Sequence, residues 1–231
     1  EDPLPRFNPG LAPWRPKPPR SPMGFGRRPP EKKGRRGPIF RAMGVAFDTN
    51  RVVWQTYNPH PNLSYLDPEF VFVGEGSEAE GGAFEPSEEI SSGLQEMLLI
   101  FPGSVFPRMS LVGWTLLPVQ PGIEFHPLLR TGIQSGDRRA EAILSGVTWR
   151  GEPTTQEYIL GARIKGSVAP PKGEKYKINA IVIPDLDLIS DLFFQLRRQK
   201  VENLEFDNVT FILNCVDSLA GDDSMVILRK R

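Results

Sequence analysis

The stretch Lys177–Gly221, KINAIVIPDLDLISDLFFQLRRQKVENLEFDNVTFILNCVDSLAG, decides how the fold is read. It opens on Ile178 to Ile183, a short β-branched run interrupted by Asn179 and closed by Pro184. Such a run predicts a strand buried on both faces of a mostly parallel sheet. Asp185, Leu186 and Asp187 follow at its carboxyl end, where open α/β sheets hold ligands. A helix of about a dozen residues is expected next, capped by Asp187 or Ser190, with Leu188, Ile189, Leu192, Phe193 and Leu196 as its apolar stripe. The basic residues between Leu196 and Lys200 suit a helix C-terminus. A second helix is expected from Asp207 or Asn208 to Gly221, a residue suited to the left-handed stop. Its apolar positions Val209, Ile212, Leu213, Val216, Leu219 and Ala220 recur at helical spacing. With a last strand at Met225–Leu228, the pattern predicts an α/β domain.

Upstream, the regular segments are shorter. Pro38 to Phe47 reads as a short helix, Val52–Gln55 and Phe70–Val73 as strands, and Gly93–Ile100 as a helix capped by Ser91 or Ser92. Val112–Pro118 and Gly122–Leu129 read as extended, residues 131–141 as a polar turn, and Gln156–Lys165 as a strand. Gly74 to Glu89 is an acidic, glycine-rich surface loop.

Composition divides the chain at residue 38. Residues 1–38 hold eleven of the 24 prolines and ten Lys or Arg against three acids, about +7, so residues 39–231 carry about −7. A proline-rich basic segment cannot bury enough apolar surface to fold, so 1–38 is expected to be extended, and 39–231 to form the α/β domain. The near-neutral whole argues against nucleic acid as a partner. The single cysteine, Cys215, excludes an internal disulfide and a zinc site of paired cysteines. No apolar run approaches the ~18 residues that cross a bilayer.

Three groups of residues are candidates for chemistry. The Asp185-Leu186-Asp187 pair is similar to the aspartates of haloacid dehalogenase-type phosphatases, in which one carboxylate attacks phosphorus, the other is acid/base and magnesium lies between. Those aspartates lie on the first strand, whereas only about forty residues follow here. Helix capping is the competing role. The loop Phe125–Gly136 delivers Arg130, Thr131 and Ser135 between glycines, a composition that binds anions through N–H groups and hydroxyls or simply closes a turn. Cys215, within an apolar helix and far in sequence from His60 and His126, reads as a core residue. No phosphate loop, dinucleotide fingerprint or hydrolase elbow is present.

These motifs together resemble a known family. NVTFILNCVDSLAGDDSMVILRKR (208–231) resembles the end of the soluble domain in auxiliary subunits of ABC transporters of the gliding-motility type. INAIVIPDLDLISDLFF (178–194), PLLRTGIQSG (127–136), EISSGLQEMLLIFPG (89–103) and EDPLPRFNP (1–9) are similar to further segments of that family. The resemblance implies a mostly parallel, Rossmann-like sheet of the glutamine-amidotransferase kind with flanking helices, incomplete on its N-terminal side and open to self-association at the exposed edge. It further implies a non-catalytic, extracytoplasmic (periplasmic) interaction domain without cofactor, anchored to the membrane from outside this chain. Its partners would be an ABC permease or other membrane subunits. Arg130, Thr131, Ser135, Asp185 and Asp187 are then candidate contacts. Two other functions compete, a magnesium-dependent phosphohydrolase using Asp185 and Asp187, and a small-ligand sensor.

Overall fold

The computed structural model describes residues 4, 6, 37–112, 115–118, 120–169, 173–200 and 204–229. The proline-rich segment, apart from Leu4, Arg6 and its last two residues, lies outside them. In chain order the elements begin with α1 (Gly37–Ala42), β1 (Val45–Phe47), β2 (Arg51–Gln55), β3 (Phe70–Gly74), β4 (Glu96–Ile100) and β5 (Val105–Pro107). There follow β6 (Met109–Val112), β7 (Thr115–Pro118), β8 (Ile123–Arg130), β9 (Ser135–Arg139) and α2 (Ala140–Leu144). The last are β10 (Ile159–Val168), β11 (Tyr176–Val182), α3 (Asp191–Gln199), α4 (Asn208–Ala220) and α5 (Asp223–Arg229).

Successive side chains of a strand point to opposite faces, and β2, β3 and β4 use both. Val53, Val71, Val73, Met97 and Leu99 enter one apolar cluster with Leu128, Leu160, Phe211 and Cys215. Their neighbours Val52, Phe72, Leu98 and Ile100 enter a second with Leu4, Phe193 and Val209. A third cluster (Val45, Val105, Ala162, Ile164 and Val182) packs on the sheet of order β11-β10-β8. The helices α3 and α4 thus cover the strands through Phe193, Val209, Phe211 and Cys215, and each such side chain contributes roughly 1.5–3 kcal/mol on burial.

The sheet is not the parallel, Rossmann-like one that the sequence suggests. Among the described residues every strand pair is antiparallel: β1 with β5, β2 with β9, β3 with β4, β6 with β7, and β10 with both β8 and β11. The reason is connection length. Only residues 169–175 join β10 to β11, and a parallel pair requires a crossover of about a dozen residues or more. The run from Ile178 therefore folds back as a hairpin and stands at the rim of its sheet, not at the centre.

Other local expectations change for related reasons. Residues 96–100 form β4 rather than the end of a helix, because a strand buried on both faces has the same unbroken apolar composition as a core helix. Met225–Leu228 belong to α5, not a strand: Val226 is buried, and Arg229 turns back to pair with Asp217 of α4 at 2.5 Å. Residues 135–139, expected in a turn, pair with β2 as β9. The segment from Pro38 splits into α1 and β1. The long helix α4 ends at Gly221 in the left-handed conformation (φ 82°), as its sequence implies.

Candidate interaction surface

The Asp185 turn is built to hold backbone. Asp185 Oδ1 accepts from the amides of Asp187 (2.8 Å) and Leu188 (3.2 Å), and Oδ2 accepts from Ile100 N–H at 2.9 Å. One carboxylate thereby ties the turn before α3 to the rim of β4. Two more side chains continue along that rim. Asn208 Oδ1 accepts from Leu98 N–H (3.1 Å) while its Nδ2 donates to Leu98 C=O (2.8 Å), reproducing the bonds of a neighbouring strand. Asp207 Oδ2 accepts from Gln95 N–H (2.8 Å) and Glu96 N–H (3.4 Å). Asp187, fully buried, accepts from the Arg6 amide. Among the described residues no group of three or more His, Cys, Asp or Glu is placed to hold a metal ion.

The loop after β8 is likewise turned inward. Thr131 Oγ1 accepts from Tyr158 N–H and lies 2.9 Å from Ser135 Oγ, which reaches Gly132 C=O (2.6 Å) and Gln156 C=O (3.0 Å). Both hydroxyl residues are fully buried. Gly132 N–H donates to Gln55 Oε1 at 3.1 Å, and a Cβ at Gly132 would lie 1.5 Å from Ser77 O, so only glycine fits. Arg130 Nη2 pairs with Glu85 at 2.6 Å, and this guanidinium, with the Ser87 hydroxyl, holds the Glu85 carboxyl below its usual range. The structure attaches the 130–135 group and the Asp185–Asp187 group to different elements and does not gather them into one site.

Cys215 sits in the first apolar cluster, where burial pushes its thiol up to about 12. A second polar cluster escapes notice in the sequence. His60 Nε2 contacts Glu96 Oε1 at 2.7 Å, its ring packed 5.5 Å from Phe72 and 5.7 Å from Phe206. Burial raises the Glu96 carboxyl against the lowering effect of His60, and also raises the Tyr57 hydroxyl.

The most exposed large apolar groups stand elsewhere, on a frame of buried charge. Glu69, 1% exposed, accepts from Arg138 Nη1 at 3.1 Å and from Arg150 at 3.0, 3.1 and 3.2 Å. Arg138 Nη2 also donates to Val147 C=O, and Arg150 Nη1 to Thr148 C=O at 2.9 Å. Arg150 Nη2 reaches Asp67 at 3.1 Å, joining this segment to residues 65–69. The backbone on either side of Trp149 is thus pinned, yet the Trp149 side chain is 79% exposed. Leu144, Val147 and, on the segment joined through Asp67, Tyr65 (78%) are exposed as well. Trp and Tyr are enriched among the side chains that carry the binding energy of protein interfaces. The sequence carries Trp149 in plain view, but its exposure depends on Glu69, some eighty residues earlier, accepting both arginines.

A family model described as an ABC-type uncharacterized transport system matches residues 15–215. The chain belongs to that family. Comparison with curated proteins and with solved structures gives no match. The matched span runs through the Trp149 segment, the 130–135 loop, the Asp185 turn and α4 as far as Cys215. Membership ties this ABC-type transport family member to a transport-related role and fits association with membrane transporter components. Among the described residues no helix is long and apolar enough to cross a membrane.

Proposed function

We propose that this chain is a non-catalytic interaction domain of an ABC-type transport and gliding-motility auxiliary protein, placed on the periplasmic side of the membrane. It docks on the permease or another membrane subunit through the surface around Trp149. The observation that carries this reading is the contrast between the two kinds of residue. The carboxylates and hydroxyls that could do chemistry (Asp185, Thr131, Ser135) hold backbone amides and carbonyls, whereas Trp149 stands exposed beside partly exposed Arg150, which joins buried Arg138 on buried Glu69. A buried pair such as Glu69–Arg138 contributes little net stability but fixes geometry, and breaking it by removing one partner costs about 3–5 kcal/mol. Among the original candidates only Arg130 keeps a partly accessible charged head, and it is paired to Glu85.

The test is co-purification of the permease subunit with the tagged domain from detergent-solubilised membranes, comparing wild type with Trp149→Ala and Tyr65→Ala. Loss of the permease from both variants, with unchanged denaturation midpoints, supports the reading; retention in both overturns it. Association between copies through an open sheet edge belongs to the same interaction reading.

A further inference from the structure

We infer that β11 pairs with the β11 of a second copy, antiparallel and centred on Asn179, to form one continuous six-stranded sheet. The inference deepens the reading of the chain as an interaction domain and rests on it. β11 carries an apolar face: Ile178, Ala180 and Val182 pack into the third cluster, and Ile181 packs against the first. One face is thus packed, while the other is engaged only at Ile181, with Lys177 and Asn179 exposed; β11 is the outermost strand of the order β11-β10-β8, with no strand on its other side among the described residues. The rim of β4 shows how this fold closes an edge, with Asp185, Asp207 and Asn208 taking the amides of residues 96, 98 and 100. Among the described residues no hydrogen bond between side chain and backbone closes β11 in that way. An edge left open among the described residues is a template for another strand.

The sequence of the edge selects the occupant and the direction. A two-fold axis through Asn179, the middle of Tyr176–Val182, overlaps the strand with itself over its whole length. It sets Ile178 against Ala180 and Tyr176 against Val182 on one face, and Lys177 against Ile181 with Asn179 against Asn179 on the other. The two Lys177 ammonium groups are then about 14 Å apart along the ladder, beyond the ~10 Å screening length at moderate salt. Parallel pairing in register would place Lys177 against Lys177. Like charges opposed across strands are destabilising, so the antiparallel dimer is favoured.

Asn179 is exposed, so charge is tolerated there by the monomer. Sedimentation across a concentration series tests the pairing. Wild type is expected at twice the 25.9 kDa chain mass. Asn179→Lys and Asn179→Asp should each move the dimer–monomer midpoint higher, by up to about fivefold, and an equimolar mixture of the two should restore it. A wild type that is monomeric throughout overturns the inference, as does a dimer insensitive to both substitutions or a mixture that does not recover. Permease co-purification by wild type separates the two readings: kept while the wild type is monomeric throughout, it leaves the interaction reading standing and overturns only the β11 pairing.

Discussion

Replacing Asp185 separates a carboxylate that holds backbone from one kept for chemistry. Its two oxygens accept three amide protons, from Ile100, Asp187 and Leu188, in a buried position. A hydrogen bond to a charged group contributes roughly 1.5–3 kcal/mol, and a buried amide left without an acceptor carries the whole desolvation penalty. Asp185→Ala strands all three amides. With partial relaxation the loss should be about 4 kcal/mol, a large part of the 5–15 kcal/mol that holds a typical domain together. Asp185→Asn keeps one acceptor but turns an NH2 towards the remaining donor or donors, so about 2 kcal/mol should be lost. With a urea slope near 3 kcal/mol/M, the midpoints should fall by about 1.3 M and 0.7 M. Equilibrium unfolding followed by circular dichroism reads both. A carboxylate held in place for catalysis commonly stabilises the fold when it is removed. An Asp185→Ala variant as stable as wild type, or more stable, would therefore refute the capping role.

Other positions give independent expectations. Gly132→Ala would set a Cβ 1.5 Å from Ser77 O and should cost more than about 3 kcal/mol or abolish soluble expression, seen in the unfolding midpoint or yield. Glu85 has a folded value lowered from 4.5 by Arg130, so its contribution is complete above about pH 5 and is lost as pH falls through that lowered value. Glu85→Gln should therefore be less stable than wild type at neutral pH and converge with it in acid, as thermal melts across pH would show. Cys215, its thiol pushed up to about 12 by burial, should react very slowly with a maleimide in the native protein and fully in denaturant.

How much of this was legible depended on whether a feature was local. The α4 stripe, its Gly221 stop and the strands near 52–55, 70–73 and 156–165 rest on neighbouring residues, and the structure has elements there. The direction of the strands is not local in the same sense. An apolar run such as INAIVI fits a central parallel strand equally well, and only the brevity of 169–175 reveals the hairpin. The same ambiguity turned β4 into an expected helix. At the candidate site, Asp185-Leu186-Asp187 could be read as either capping or catalytic, because the amide that claims Asp185 Oδ2 belongs to Ile100, 85 residues away. Thr131 and Ser135 were legible as hydroxyls in a glycine-flanked loop; that they face Tyr158 and Gln156 was not. Trp149 was legible as an aromatic residue; that its neighbour Arg150 pairs with Glu69 was not.

The most direct measurement of the proposed function places a photoreactive benzoylphenylalanine at position 149 of the domain, with a control at the exposed Lys175, and illuminates cells carrying the intact transport system. Docking through the Trp149 surface predicts a covalent product between position 149 and the permease or another membrane subunit of that system, identified by mass spectrometry and absent from the control. Product equally strong at 175, or none at 149 while the permease still co-purifies, would contradict it.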